Sequence, residues 1–290
     1  ERKKERKKKE KRMLSVGLCG GRGLRRVAWL AQQQTCEHQI RNLSEFKEPA
    51  HFDVQQGLKP FLSPEAIQIH FKHQKVLHDT VNKHIQGTKL ENLELEEIVK
   101  IAYSRNRKMF DEASDLFNHQ FFWNSLAHWN DQGEITPLLA EQIKTDFGSQ
   151  ELMFHKIAEK AQFCWGAGWA WLCENEGSLQ VEMTYEFGTP VVNHINTPLL
   201  CLDMWTHSYF PDYQNDKETY VQNWARNVNW DFASKRYLRA KELRESRTVK
   251  DSYGIPEEQF KEIPLEEGEE RSPWGEMVRV ERLGGEERRK

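Results

Sequence analysis

The sequence predicts an α+β fold: an N-terminal helical hairpin, then a mixed domain in which helices surround a small antiparallel sheet. Three observations carry that prediction. Apolar residues recur at helical spacing from residue 63 to 163. Short strand-like runs replace that texture between residues 166 and 202, and Leu179-Gln180-Val181-Glu182-Met183 alternates cleanly. Helical texture then returns over residues 217–243.

The first predicted helix spans residues 63–90, with Ser63 as N-cap, Pro64 at the first helical position and Glu65 in the first turn. Its apolar face is expected to carry Ile67, Phe71, Val76 and Leu77. Residues 92–104 and 108–128 predict two more helices, the second with Phe110, Ala113, Leu116, Phe117, Phe121 and Leu126 at mixed three- and four-residue spacing. A further pair is expected over 137–146 and 150–163. Gly166-Ala167-Gly168-Trp169-Ala170-Trp171-Leu172 opens the first strand, and Leu199-Leu200-Cys201-Leu202 is a short apolar strand leading directly into Asp203–Tyr209.

Composition narrows the function classes. A chain of 290 residues holds one large domain or two ordinary ones, and its 11% aromatic content excludes a disordered polyelectrolyte. With 42 basic against 45 acidic residues and a net charge of −3, a general phosphate-backbone binder is not expected. The mean hydropathy of −0.82 is low for a chain with ten Trp and fifteen Phe. The polar excess lies at the ends. Residues 1–12 are almost purely charged and precede Met13, which reads as the true start. From Met13 to Thr35 there is no Asp or Glu, while Arg22, Arg25 and Arg26 sit among apolar residues, as in an organelle transit peptide. Contact with nucleic acid or an anionic membrane is the alternative for this basic leader.

From about Lys241 the chain carries paired glutamates, Pro256, Pro264 and Pro273, and the scattered anchors Tyr253, Phe260, Trp274 and Val278. That composition suits a solvated tail, or one that orders on a partner. No apolar run of about 18 residues predicts a membrane span. The five cysteines include no CxxC pair, and Cys164, Cys173 and Cys201 read as small core residues of a reduced protein.

Two clusters look chemical. In Phe117-Asn118-His119-Gln120-Phe121-Phe122-Trp123 a histidine is embedded among aromatic residues on a helix. In Leu202-Asp203-Met204-Trp205-Thr206-His207 an aspartate and a histidine stand four apart, so a helical turn starting there would face both the same way. Imidazole with one carboxylate suits iron, manganese or zinc, and a dry aromatic wall tunes redox potential. Taken singly, each histidine fits a satisfied core residue better than a ligand; the aromatic setting of both clusters shifts the balance toward a ligand.

Together with Gly188-Thr189-Pro190 and Thr197-Pro198-Leu199-Leu200, these motifs resemble, in order, the iron/manganese superoxide dismutase family over about residues 55–240. The resemblance implies one metal ion per chain, iron in preference to manganese, held by His70, His119, Asp203 and His207 plus one solvent molecule. It implies superoxide as substrate, dismutated to oxygen and hydrogen peroxide. His70 stands eight residues before the family's gateway tyrosine, a position occupied here by His78. Asp115 occupies the iron-type position of the glutamine that bonds the metal's solvent, and Trp165 the manganese-type one. His78 and Asp115 are therefore the candidate catalytic residues outside the ligand set.

Other departures fall where the family spans its dimer. Gln74 replaces a bridging histidine, Phe210 a bridging tyrosine and Thr206 a glutamate, while Lys217 matches a rim arginine. These changes keep a second function open: a superoxide-dismutase-fold subunit, weakly catalytic or not at all, in a large mitochondrial assembly such as a ribosome or respiratory complex. The expected organisation is a leader at 1–54, the hairpin domain at 55–135, the α/β domain at 136–240 and a charged extension at 241–290. The expected address is the mitochondrial matrix, with a plastid as second choice. Expected partners are a homodimer or a similar-fold heterodimer through an altered seam, or a large complex through the extension.

Overall fold

The computed structural model describes residues 49, 51–246, 269–271 and 277–279. Most of the leader, with Met13, Cys19 and Cys36, and most of the glutamate-rich tail lie outside the described residues.

Helix α1 (Pro64–Ile85) starts as the sequence predicts, Ser63 Oγ accepting from the amide of Ala66 at 3.2 Å. It stops five residues early, because Gly87 takes a left-handed conformation (φ 75°) and Thr88 turns the chain into a 3₁₀ segment, Lys89–Asn92. Helix α2 (Leu95–Tyr103) is opened by a capping box between Glu94 and Glu97. Helix α3 (Arg107–Asn124) is capped by Asn106, whose side chain accepts from the amide of Met109 at 2.8 Å. α1, α2 and α3 form the helical N-terminal part, with α3 packed against both others.

Helices α4 (Pro137–Phe147) and α5 (Gln150–Gln162) are separated by Gly148 at φ 85° and by the N-cap Ser149. Three strands follow: β1 (Gly168–Asn175), β2 (Ser178–Tyr185) and β3 (Asn196–Asp203). They make one antiparallel sheet in the order β2-β1-β3. Trp169 on the central strand pairs with Thr184 on one side and Asp203 on the other. β1 is buried from Gly168 through Glu174, which is why it reads as a continuous apolar run, whereas β2 buries Leu179 and Val181 and exposes Gln180.

The last predicted helix is two. α6 (Thr206–Tyr213) leads into α7 (Lys217–Ala225), and α8 (Trp230–Ser246) starts afresh. The break is built by two asparagines. Asn227 donates through Nδ2 to the carbonyl of Ala127 at 3.0 Å, and Asn229 Oδ1 accepts from the amide of Phe232 at 3.0 Å, capping α8. The same contacts pull residues 125–128 out of helix: Leu126 bridges to Val228, so α3 ends at Asn124 rather than near 128. A short antiparallel ladder, β4 (Glu269–Arg271) with β5 (Met277–Arg279), lies within the predicted tail.

α3 and α8 both pack on β3, and α1 packs on α6. One core therefore links the two parts, running from Leu58, Ile67 and Phe122 to Trp169, Trp171, Leu200 and Trp224. Cys164, Cys173 and Cys201 are buried free thiols within it. Among the described residues, no helix is long and apolar enough to cross a membrane.

Candidate metal centre

Four elements each deliver one donor to a single buried point. α1 supplies His70, α3 His119, the last residue of β3 Asp203, and the first turn of α6 His207. The expectation that Asp203 and His207 share one helical turn is corrected. Asp203 ends a strand, its Oδ1 accepting from the amide of Trp205 at 2.7 Å, and only then does α6 begin. The strand fixes Asp203 rigidly, and the turn at Met204-Trp205 brings His207 back to it.

The donor atoms lie within 4.8 Å of one another. Asp203 Oδ2 is 3.2 Å from His70 Nε2 and 3.9 Å from both His119 Nε2 and His207 Nε2, while His119 Nε2 and His207 Nε2 are 3.4 Å apart. A first-row cation bound at about 2.1 Å from each donor spaces neighbouring donors roughly 3 to 4 Å apart, so the set fits one ion. Three imidazoles and one carboxylate are donor chemistry for a first-row transition metal such as iron, manganese or zinc.

Protonation states suit that use. Burial pulls His70 and His207 below the usual histidine range, His207 to about 4, so both present neutral rings at pH 7. Burial works on Asp203 in the opposite sense, but its hydrogen bond to His70 and the nearby histidines hold it ionised, below the usual carboxylate range. His119 is the exception. Burial again pulls it down, yet the hydrogen bond and charge of Asp115 more than offset this and raise it. Its Nδ1–H donates to the main-chain oxygen of Asp115 at 2.8 Å, with Asp115 Oδ1 at 3.1 Å. That pins the proton on Nδ1 and turns the Nε2 lone pair toward the other donors, the carboxylate–histidine arrangement that orients a metal ligand.

The surroundings are aromatic. Trp169 meets the His119 ring edge-on at 4.9 Å between centroids, and Trp123 meets His70 at 5.2 Å. Ser114 and Asn118 on α3 donate to the carbonyls of Phe187 and Gly188, so the Gly188-Thr189-Pro190 segment braces the helix that carries His119. The Tyr220 hydroxyl donates to the carbonyl of Asp203 at 2.7 Å.

Of the two candidate catalytic residues outside the ligand set, Asp115 sits beside the cluster, its Oδ2 3.3 Å from His73 Nε2. His78 is buried two turns beyond His70, and its Nδ1 faces Asp79 Oδ1 and Asn82 Nδ2, each at 3.4 Å. The imidazole that meets the cluster's rings is His73, 5.2 Å from His119 and 5.5 Å from His207 between centroids. Sequence reasoning passed over it, although its spacing of three from His70 places it on the same side of α1.

The predicted apolar face of α1 holds at Ile67 and Phe71, with Leu77 packed against the core, and is corrected at Val76. Val76 is 64% exposed, and the buried side holds His70, Gln74 and His78 beside Ile67, Phe71, Val81 and Ile85. A helix that lines a polar centre buries polar residues, so hydrophobicity alone misplaces its face. Gln74 is buried with its Oε1 unpaired, Lys217 Nζ donates to the Cys164 carbonyl at 3.3 Å, and Trp165 and Phe210 are exposed.

A helical hairpin joined to a three-stranded domain, with three histidines and an aspartate at their junction, defines a class of metalloprotein fold. Residues 51–127 match the family model described as iron/manganese superoxide dismutases, alpha-hairpin domain. Residues 135–236 match the one described as iron/manganese superoxide dismutases, C-terminal domain. The chain is 35% identical over 198 residues to a Superoxide dismutase (Fe) of Nostoc sp., covering 67% of this chain and 98% of the relative. It is 36% identical over 192 residues to that of Escherichia coli (66% and 97%) and 34% over 192 residues to that of Babesia bovis (66% and 94%). The chain belongs to the iron/manganese superoxide dismutase family.

Proposed function

We propose that this chain binds one iron ion through His70, His119, Asp203 and His207 and dismutates superoxide. The observation that carries the reading is the convergence of three buried donors and the partly exposed His207 at metal-ligand spacing, with the His119 tautomer held by the main-chain carbonyl of Asp115. Held by His70, His119, Asp203 and His207, a redox-active ion would supply one-electron chemistry, by which two superoxide and two protons become oxygen and hydrogen peroxide. The chain's own part is to keep His70 and His207 neutral, to hold Asp203 ionised and to keep water from the inner face with Trp123 and Trp169. His207 is the partly exposed ligand, so its side is the approach for a small anion. Iron is favoured over manganese because the relatives above are iron enzymes by name. The test is superoxide consumption by iron-loaded protein, set against His119→Ala and against free iron at equal concentration. Activity no higher than free iron overturns the catalytic reading.

A second reading, a superoxide-dismutase-fold subunit of a larger assembly, is favoured by the exposed aromatic side chains Phe163, Trp165, Tyr185 and Phe210. Large aromatic side chains left in solvent suit contact with a partner, although isolated apolar residues are also ordinary on a surface. Under either reading we propose the mitochondrial matrix as the address. Fractionation of a mitochondrial extract tests both: co-sedimentation with a megadalton particle supports the subunit, and a free homodimer supports the enzyme.

A further inference from the structure

We propose that His73 and Asp115 form an outer cation site that captures a divalent transition-metal ion from solvent and passes it to the buried centre. The inference rests on the metal reading of the inner four residues and adds a loading route.

The inner donors are shut in. The side chains of His70, His119 and Asp203 have no exposure at all, and His207 is the ligand that reaches the surface, at 27%. An ion must arrive by that edge. His73 stands there, 43% exposed, with its ring against those of both His119 and His207. Its Nε2 lies 3.3 Å from Asp115 Oδ2, and Asp115 is itself almost wholly buried. One donor atom each from His73, Asp115 and His119 falls within 4.8 Å of the others, so a second metal-ligand set exists beside the first.

The two sets share His119. A full complement of ligands cannot serve both positions at once, so the outer set is an alternative occupied before the inner one rather than a second resident ion. Its donors are fewer, and one is half in solvent, so it holds an ion more weakly than the four inner donors. That ordering makes transfer inward downhill. Asp115 contributes its charge to capture and then remains as the hydrogen-bond acceptor that fixes His119 for the inner ion.

The test uses the full chain stripped of metal, with Co²⁺ as the probe and the visible absorbance of bound cobalt as the readout. Wild-type protein should take up one Co²⁺ per chain. His73→Ala and His73→Gln should reach the same end point about tenfold more slowly. His73→Asp, which restores a donor at the surface, should recover most of the rate. Uptake by His73→Ala and His73→Gln at the wild-type rate overturns the outer site. A reduced end point in those variants also overturns it, since His73 would then belong to the inner centre. Failure of wild-type protein to retain any Co²⁺ fails the inner-site reading itself, and the route with it. Circular dichroism of the variants checks that α1 is intact.

Discussion

His119 uses its two ring nitrogens for different purposes, one fixed by Asp115 and one turned to the centre. The main-chain carbonyl of Asp115 fixes His119 whatever side chain stands at 115, so what the carboxylate adds is its charge beside Nδ1. Asp115→Asn should lower metal affinity about tenfold while leaving stoichiometry at one, measured by competition with a chelator of known strength. His119→Ala should abolish stoichiometric binding outright, by elemental analysis of protein refolded with iron and with manganese separately. Equal retention in both variants and wild type would remove these residues from the site. His119 was legible in the sequence because its aromatic context is distinctive, and Asp115 through the family resemblance. The role of His73 was not, since a half-exposed histidine three residues from a ligand gains meaning only when a second helix places Asp115 opposite it.

At the scale of elements, α2 is tied to α8 by charge. Arg236 Nη2 lies 3.5 Å from Glu96 Oε2, and Lys100 Nζ donates to Glu96 Oε1 at 2.8 Å. Arg236 also donates through Nε to the Pro198 carbonyl at 2.6 Å and lies over the Phe121 ring. Burial pushes the Glu96 carboxyl up, but Arg236 and Lys100 outweigh it and hold it at about 2, below its ordinary 4.5. A carboxylate with a depressed folded-state pKa stabilises above its unfolded value, and that stabilisation is lost as pH falls toward the folded value. Unfolding monitored from pH 6 to pH 2.5 should therefore show stability declining below about pH 4.5. Glu96→Gln should flatten that decline and cost about 1 to 3 kcal/mol at pH 7, because Arg236 is left without its partner. The break between α7 and α8 makes a second test: Asn229→Ala removes the α8 cap and should cost about 1 kcal/mol by urea unfolding.

For the whole molecule, the centre sits where the hairpin part meets the sheet domain, so an ion bound by α1, α3, β3 and α6 cross-links both. Binding confined to the folded state stabilises by mass action, about 2.7 kcal/mol at a hundredfold excess over Kd. Metal-loaded protein should thus melt at least about 5 °C above the chelated form. Identical melting curves would show that the two parts are joined by their apolar core alone. The order of helices and strands was readable because apolar periodicity is a local signal. The end of α3 and the split between α7 and α8 were not, because contacts between residues 125–128 and 227–229, a hundred positions apart, decide them. Even so, Asn227 and Asn229 are residue types that stop and cap helices.

The resemblance of its motifs to a known family named the four candidate ligands; the sequence by itself determined the α+β order, the capped start of α1 and the buried cysteines. These rest on local spacing and residue chemistry, which no distant contact alters. Tertiary structure decided which face of α1 is buried, how His70, His119 and Asp203 come together from three elements, and that Asp115 of α3 pairs with His73 of α1. Those facts depend on distances between segments remote in the chain. Only packing sets such distances.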